Sequence, residues 1–324
     1  MRPVTIAVDA MGGDDAPAAL VEGARRAAAS GIGILLVGDP ERLGVVPTDI
    51  TVVPAGDAIG FTDDPVAAVR ARPEASVVVA ARLVAEGRAQ AFVSAGHSGA
   101  TLAAATLVVG RVTGVQRPAL AAVLPGAHGP TVLIDAGANL DTTPQQLLQF
   151  AHLGSAFAET VLGCREPTCG LLAIGEEPGK GEKRLREAHA LLVQADGLRY
   201  RGSVEGRDLL GAEVDVIVAD GTAGNIALKV AEGTAREAFR RVRAQARGPR
   251  ATLGGLLLRP ALRRVRADLD PDTYGGGYLV GVRGVVVVAH GAVGAGGVER
   301  ACAYAAAGVR HGFADRIAAA IAAD

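Results

Sequence analysis

Ala89-Gln90-Ala91-Phe92-Val93-Ser94-Ala95-Gly96-His97-Ser98-Gly99-Ala100-Thr101 opens the longest uncharged stretch of the chain, bounded by Arg88 and Arg111. By length alone it would cross a bilayer, which takes about 20 apolar residues. The polar turn from Ser94 to Gly99 breaks it in the middle. A short apolar run precedes that turn and an alanine-rich run follows it. The stretch therefore reads as a buried strand, a loop and a helix start, and not as a membrane span.

The same unit recurs on either side. Strands are expected over residues 4–8, 32–37, 50–53, 91–94, 119–124, 131–135, 170–174, 214–218 and 285–289. Helices are expected over 18–29, 65–70, 76–86, 99–109, 144–162, 182–194, 223–246 and 298–323. Near-continuous apolar strands separated by helices imply an α/β fold with a mostly parallel sheet covered on both faces. There is no fixed-period repeat and no Pro/Ser-rich linker. Any two-domain division of the α/β unit formed by residues 1–324 is thus expected to be interwoven rather than sequential.

Composition agrees. The 324 residues are 49% hydrophobic with a net charge of −1, which excludes a disordered chain. Cys164, Cys169 and Cys302 are too few for a disulfide framework, and their odd number suits a reducing cytoplasm. Cys164 and Cys169 lack a second ligand pair, so no metal is expected. The N-terminus has no basic segment followed by an apolar one, so no signal peptide is expected.

Five expected strands end in loops that mix glycine with polar residues. They are Asp9-Ala10-Met11-Gly12-Gly13-Asp14, then Ser94-Ala95-Gly96-His97-Ser98-Gly99, then Asp135-Ala136-Gly137-Ala138-Asn139. Gly175-Glu176-Glu177-Pro178-Gly179-Lys180-Gly181 and Asp220-Gly221-Thr222-Ala223-Gly224-Asn225 follow. In open α/β sheets ligands bind at the carboxyl ends of strands, where glycine lets the backbone approach. The helix that follows offers unpaired N–H groups to an anion. None of the five is a P-loop, a dinucleotide fingerprint or a nucleophile elbow. The pattern describes a cleft built to hold an anion and gives no support to covalent catalysis through Ser or Cys.

Taken in order, these motifs resemble the bacterial phosphate acyltransferases of phospholipid synthesis. The likeness begins at Asp9-Ala10-Met11-Gly12-Gly13-Asp14 with Ala16-Pro17 and runs through Asp64-Pro65 and the 94–100 loop. It continues through Ile134 to Asn139, Leu147 to Ala151, Ile174 to Glu177 with Lys180-Gly181, and Glu205-Gly206-Arg207-Asp208. Asp220-Gly221 with Gly224-Asn225, Tyr274-Gly275-Gly276 and His290-Gly291 complete it. The family moves an acyl group from acyl-acyl-carrier-protein to inorganic phosphate, and a membrane acyltransferase then uses the acyl phosphate on glycerol 3-phosphate. The resemblance implies a two-lobed homodimer with the fold of phosphotransacetylases and of the isocitrate/isopropylmalate dehydrogenases, and no cofactor. Departures from the family pattern stand at His97-Ser98, Ser203-Val204, Thr222-Ala223, Gly277-Tyr278 and Ala292, and they bear on acyl preference and activity.

The implied reaction is attack of a phosphate oxygen on a thioester carbonyl. Phosphate is already anionic, and a cysteine-like thiol with a pKa near 8.5 leaves readily. What remains is positioning and oxyanion stabilisation. Lys180, in its glycine-flanked loop beside Glu176 and Glu177, can clamp phosphate or be a solvated lysine. Asn225 can donate to an oxyanion or to phosphate, or simply cap its helix. His290, at a strand end, can donate to the carbonyl or the departing sulfur, or be a hydrogen-bonded strand-end residue. These three are the catalytic candidates. Substrate binding is assigned to Asp9, Gly12, Gly13, Asp14, Ser94, Gly96, His97, Ser98, Gly99, Asp135, Asn139 and Lys229. For Asp9 and Asp14 the alternative is turn-forming side-chain chemistry.

One further segment stands out. From Arg236 to Arg266 there are ten arginines against Glu237, a balance of +9 that leaves −10 on the rest of the chain. Within it, Leu253, Leu256, Leu257 and Leu258 form an apolar tip. Residues 236–266 read as basic helices suited to an anionic membrane surface or to an acidic carrier protein. A solvated face with the leucines in a dimer interface is the plainer alternative. Stacking aromatics for nucleic acid are lacking. The expected setting is the cytoplasm, with peripheral association at the inner face of the cell membrane. A phosphotransacetylase-like enzyme on short acyl-coenzyme A and a non-catalytic relative binding carrier protein or membrane remain as alternatives.

Overall fold

The computed structural model describes residues 3–177, 180–211, 213–245, 249–268 and 275–322. Pro178, Gly179, Arg247 and Tyr274 lie outside these residues, and the side chains of Arg250, Leu253 and Arg266 lie outside the described set as well.

The strands are β1 (Thr5–Asp9), β2 (Gly33–Gly38), β3 (Thr51–Pro54), β4 (Ala91–Ser94), β5 (Ala119–Gly126) and β6 (Gly129–Ile134), followed by β7 (Thr168–Leu172), β8 (Arg199–Val204), β9 (Val216–Val218), β10 (Gly277–Val280) and β11 (Val285–Val288). Among the described residues they form one 11-stranded sheet in the order β3-β2-β1-β4-β11-β10-β5-β6-β9-β7-β8. Only the β11–β10, β10–β5 and β5–β6 pairings are antiparallel. As a result β3, β2, β1, β4 and β11 all run one way, while β6, β9, β7 and β8 run the other.

Helices cover the sheet. They are α1 (Ala18–Ala29), α2 (Pro40–Leu43), α3 (Pro65–Ala71), α4 (Ser76–Ala85), α5 (Ser98–Ala104) and α6 (Pro144–Val161), then α7 (Lys183–Gln194), α8 (Gly221–Gln245), α9 (Pro249–Asp268), α10 (Ala295–Arg310) and α11 (Phe313–Ala322). Successive strand side chains point to opposite faces, and the core divides accordingly. Ile6, Val8, Val285 and Val287 join one apolar cluster, whereas Ala7, Phe92 and Val286 join another on the opposite face. Being apolar on both faces is what central parallel strands require.

Several elements differ from the sequence reading. β8 and β10 were not expected. β8 carries Arg199 and Arg201 at the sheet edge, which hides its strand pattern. The helix expected over 298–323 divides at Gly312, whose φ of +65° stops α10 before α11 begins. The helix expected over 99–109 leaves α geometry for a π turn over Ala105–Val109. The strand expected to reach Ile174 ends at Leu172, and Ile174 is exposed. Within the 236–266 segment, residues 236–245 end α8 and residues 249–266 belong to α9.

The departure at Gly277-Tyr278 is a matter of core packing. Tyr278 is fully buried, its ring 5.2 Å from those of Phe157 and Phe313, and its hydroxyl donates to the Tyr304 carbonyl.

Candidate active site

Two loop junctions and one helix build the site. The first junction joins the ends of β1, β4 and β11. Asp9, at the end of β1, is buried and accepts from Ser94 Oγ at 2.7 Å and from the Met11 N–H at 3.2 Å. Burial pushes its carboxyl above the usual range, and the hydrogen bonds only partly oppose that. Ser94 Oγ in turn accepts from the Gly96 N–H. Gly12 lies so close to Gly96 that a Cβ on it would sit 2.7 Å from the Gly96 Cα. The Asp14 N–H donates to the Gly291 carbonyl at 2.7 Å, and Gly13 turns between them at φ +124°. Asp9 and Ser94 thus have almost no exposed surface, and they act on the loops by holding them together.

His97 and Ser98 leave this junction. The His97 Nδ1 accepts from the Gly99 N–H at 3.0 Å, capping α5, and its ring stacks on Phe61 with centroids 5.4 Å apart. Ser98 faces the cleft described below.

The second junction follows β6. Asp135 accepts from the backbone N–H groups of Leu120, Gly137, Ala138 and Asn139 and from the Asn139 side chain, all within 3.1 Å. Desolvation raises its carboxyl above the usual value against these bonds. The Asn139 amide also donates to the Pro118 carbonyl. On this loop sits the start of α8, where the Gly221 N–H donates to the Asn139 carbonyl. Asp220 is bound to Arg184 at 2.7 Å through one oxygen and accepts from the Ala223 N–H through the other. Asp220 is therefore the residue that caps α8. Asn225, expected to open that helix, lies a turn inside it and beside Gly137.

From this junction α8 runs along β5 to the first junction and leaves a cleft of about 240 Å³ between itself and the sheet. Leu120, Ala122 and Leu124 of β5, with Leu210 and Leu228, line it with apolar surface. Ser98, Asn225, Lys229, Glu232 and His290 supply the polar groups. Lys229 Nζ lies 3.0 Å from both His290 Nε2 and Glu232 Oε2, and His290 Nε2 lies 3.1 Å from Glu232 Oε1. The Glu232 side chain is only 9% exposed. Burial alone would raise its carboxyl, but His290 and Lys229 together hold it below the usual range.

The cleft therefore gathers Ser98, Asn225, Lys229 and His290 from the sequence candidates. Lys180 does not line it. It stands in the loop after β7, half exposed, with Nζ 3.3 Å from Glu177. Glu232 went unnoticed in the sequence, although its i,i+3 spacing from Lys229 places both on one helix face. The apolar floor from β5 was likewise read only as a strand.

Known proteins are similar to this chain along nearly its whole length. A family model described as "Fatty acid synthesis protein" matches residues 4–316. The phosphate acyltransferase of Thermus thermophilus is 48% identical over 96% of this chain and 97% of its own length. That of Thermobifida fusca is 46% identical over 93% of this chain and 86% of its own. The chain belongs to the bacterial phosphate acyltransferase family. Its fold is shared with a phosphotransacetylase from Streptococcus pyogenes, with a TM-score of 0.64, 18% identity and coverage of 94% of this chain and 93% of that one. Family membership makes the protein an acyltransferase and agrees with the motif resemblance. The α/β fold expected from the sequence, similar to that of phosphotransacetylases, is the one observed.

Proposed function

We propose that the cleft transfers a fatty acyl group from acyl-acyl-carrier-protein to inorganic phosphate, giving acyl phosphate for phospholipid synthesis. The observation that carries this reading is the cleft's division into one polar side and an apolar floor. Lys229 and His290 offer charge and hydrogen bonds to phosphate and carbonyl, while Leu120, Ala122 and Leu124 suit an acyl chain. The carbonyl carbon gains a bond to phosphate oxygen and loses its bond to sulfur. The proton of hydrogen phosphate ends on the departing thiol, and His290 is placed to relay it. No side chain need become a nucleophile, so the protein contributes orientation and charge stabilisation.

Asn225, which lines the cleft, is assigned to the oxyanion or to phosphate, and Lys180, from the loop after β7 and outside the cleft, is assigned as a second cation for phosphate. Asp9, Gly12, Gly13, Asp14, Ser94, Gly96, Asp135 and Asn139 order the loops around the substrates. The two oppositely directed halves of the sheet are read as two interwoven lobes. The exposed Ile226 and Val230 on α8 offer apolar surface to a second copy in a homodimer.

The basic end of α8 and the exposed leucines of α9 are assigned to an anionic membrane surface and to the acidic carrier protein. Among the described residues no helix is long and apolar enough to cross a membrane. Peripheral association at the cytoplasmic face would deliver the product to a membrane glycerol-3-phosphate acyltransferase.

The test supplies purified protein with palmitoyl-carrier protein and phosphate and follows thiol release and acyl phosphate. Thiol release no faster than without enzyme, with carrier still bound, would leave a binding protein. Faster turnover of acetyl-coenzyme A would favour a phosphotransacetylase.

A further inference from the structure

The contacts around His290 cannot all be hydrogen bonds at once. Its Nε2 faces Lys229 Nζ at 3.0 Å and Glu232 Oε1 at 3.1 Å. A neutral imidazole nitrogen either accepts or donates. With the ring proton on Nδ1, Nε2 accepts from Lys229 and turns a lone pair toward the carboxylate. With the proton on Nε2, the ring donates to Glu232 and faces the ammonium with an N–H. Each state satisfies one contact and makes the other repulsive.

We propose that Glu232 is a positioning residue that competes with bound phosphate for Lys229 and thereby sets which nitrogen of His290 carries the proton. The inference rests on the reading of the cleft given above and deepens it. In the arrangement observed, Glu232 Oε2 lies 3.0 Å from Lys229 Nζ, and the ammonium is placed to donate to Nε2. Phosphate carries more negative charge than one carboxylate and draws Lys229 away. Nε2 then carries the proton and donates to Glu232. One proton leaves Nδ1 for solvent and one reaches Nε2 from solvent, so the ring stays neutral. The His290 side chain is 40% exposed, which permits that exchange.

Glu232 suits the task because it is nearly buried and held ionised by the two groups it orients. A proton relay works best when its tautomer is fixed, and a hydrogen bond to one ring nitrogen fixes it. Arrival of phosphate would thus prepare His290 for the chemistry.

The test uses the full chain with inorganic phosphate. Protein carrying ¹⁵N-labelled histidine is titrated with phosphate, and His290→Asn assigns the His290 signals. The expected result is Nε2 unprotonated without phosphate and protonated at saturation. Glu232→Gln should release Lys229, so the phosphate KM falls several-fold while kcat drops on the order of 10-fold or more. Glu232→Asp should restore part of kcat. An unchanged tautomer at saturating phosphate overturns the proposal, and so does a Glu232→Gln variant whose KM rises or whose constants do not change. The spectrum is read on the unmodified protein, with the His290→Asn variant used only for assignment, and it needs no acyl donor. It remains decisive even if the thioester assay gives no turnover, a result that would count against the reading of the cleft instead.

Discussion

A Cβ on Gly224 would lie 1.9 Å from the carbonyl oxygen of Asp135, so α8 rests directly on the backbone of the loop after β6. Contact this close leaves room for no side chain, and it fixes where Asn225 and Lys229 stand. Gly224→Ala should cost about 1–3 kcal/mol through overpacking and displace the start of α8. Turnover should fall together with the melting temperature. A fully active variant with unchanged melting would show that α8 can shift without disturbing the cleft.

Asp9 should give stability an unusual pH dependence. Burial raises its native carboxyl above the ordinary 3.8, so the folded chain keeps this proton to higher pH than the unfolded chain does. Its contribution is full below that ordinary value and is lost as pH rises through the native one. Urea midpoints of the unmodified protein, measured from about pH 4 upward, should fall relative to those of Asp9→Asn. Parallel curves would refute the assignment.

Lys180 stands apart from the cleft in an exposed ion pair with Glu177. Lys180→Met should leave stability within about 0.5 kcal/mol. If Lys180 clamps phosphate, the variant's phosphate KM rises or turnover ceases. An unchanged rate would remove Lys180 from the site.

The α9 leucines lend themselves to a vesicle assay. Leu256 and Leu257 are 63% and 74% exposed, so replacing both by Ser should barely alter folding. Binding to anionic vesicles should weaken in the double variant and should fall with salt in both proteins, each arginine near the surface contributing on the order of 1 kcal/mol. Equal binding by the two would return the leucines to a structural role.

Much of the fold was legible because its central strands are short runs of Val, Ile and Ala. Valines 285–288 can be little else. β8 was not legible, because an edge strand tolerates Arg199 and Arg201. β10 was hidden by its glycine-rich approach and by Tyr278, whose place deep in the core no local pattern announces. In the site, the glycine loops were recognisable one by one, but not that Asp9 and Ser94 turn inward to each other. His290 and Glu232 are 58 residues apart and meet only because β11 returns beside β4 while α8 crosses toward it. That meeting is a product of topology, and sequence spacing holds no trace of it.

The 25 residues of α8 form one uninterrupted helix, about 37 Å long at 1.5 Å per residue. Its first turns carry Asn225 and Lys229 into the cleft, and its last turns carry Arg240, Arg241 and Arg243 into solvent. Whatever grips the arginine end would therefore also aim the end that carries Asn225 and Lys229. A partner or surface engaged there takes hold of the enzyme by a rigid handle, with the cleft set at a fixed distance from the point of grip.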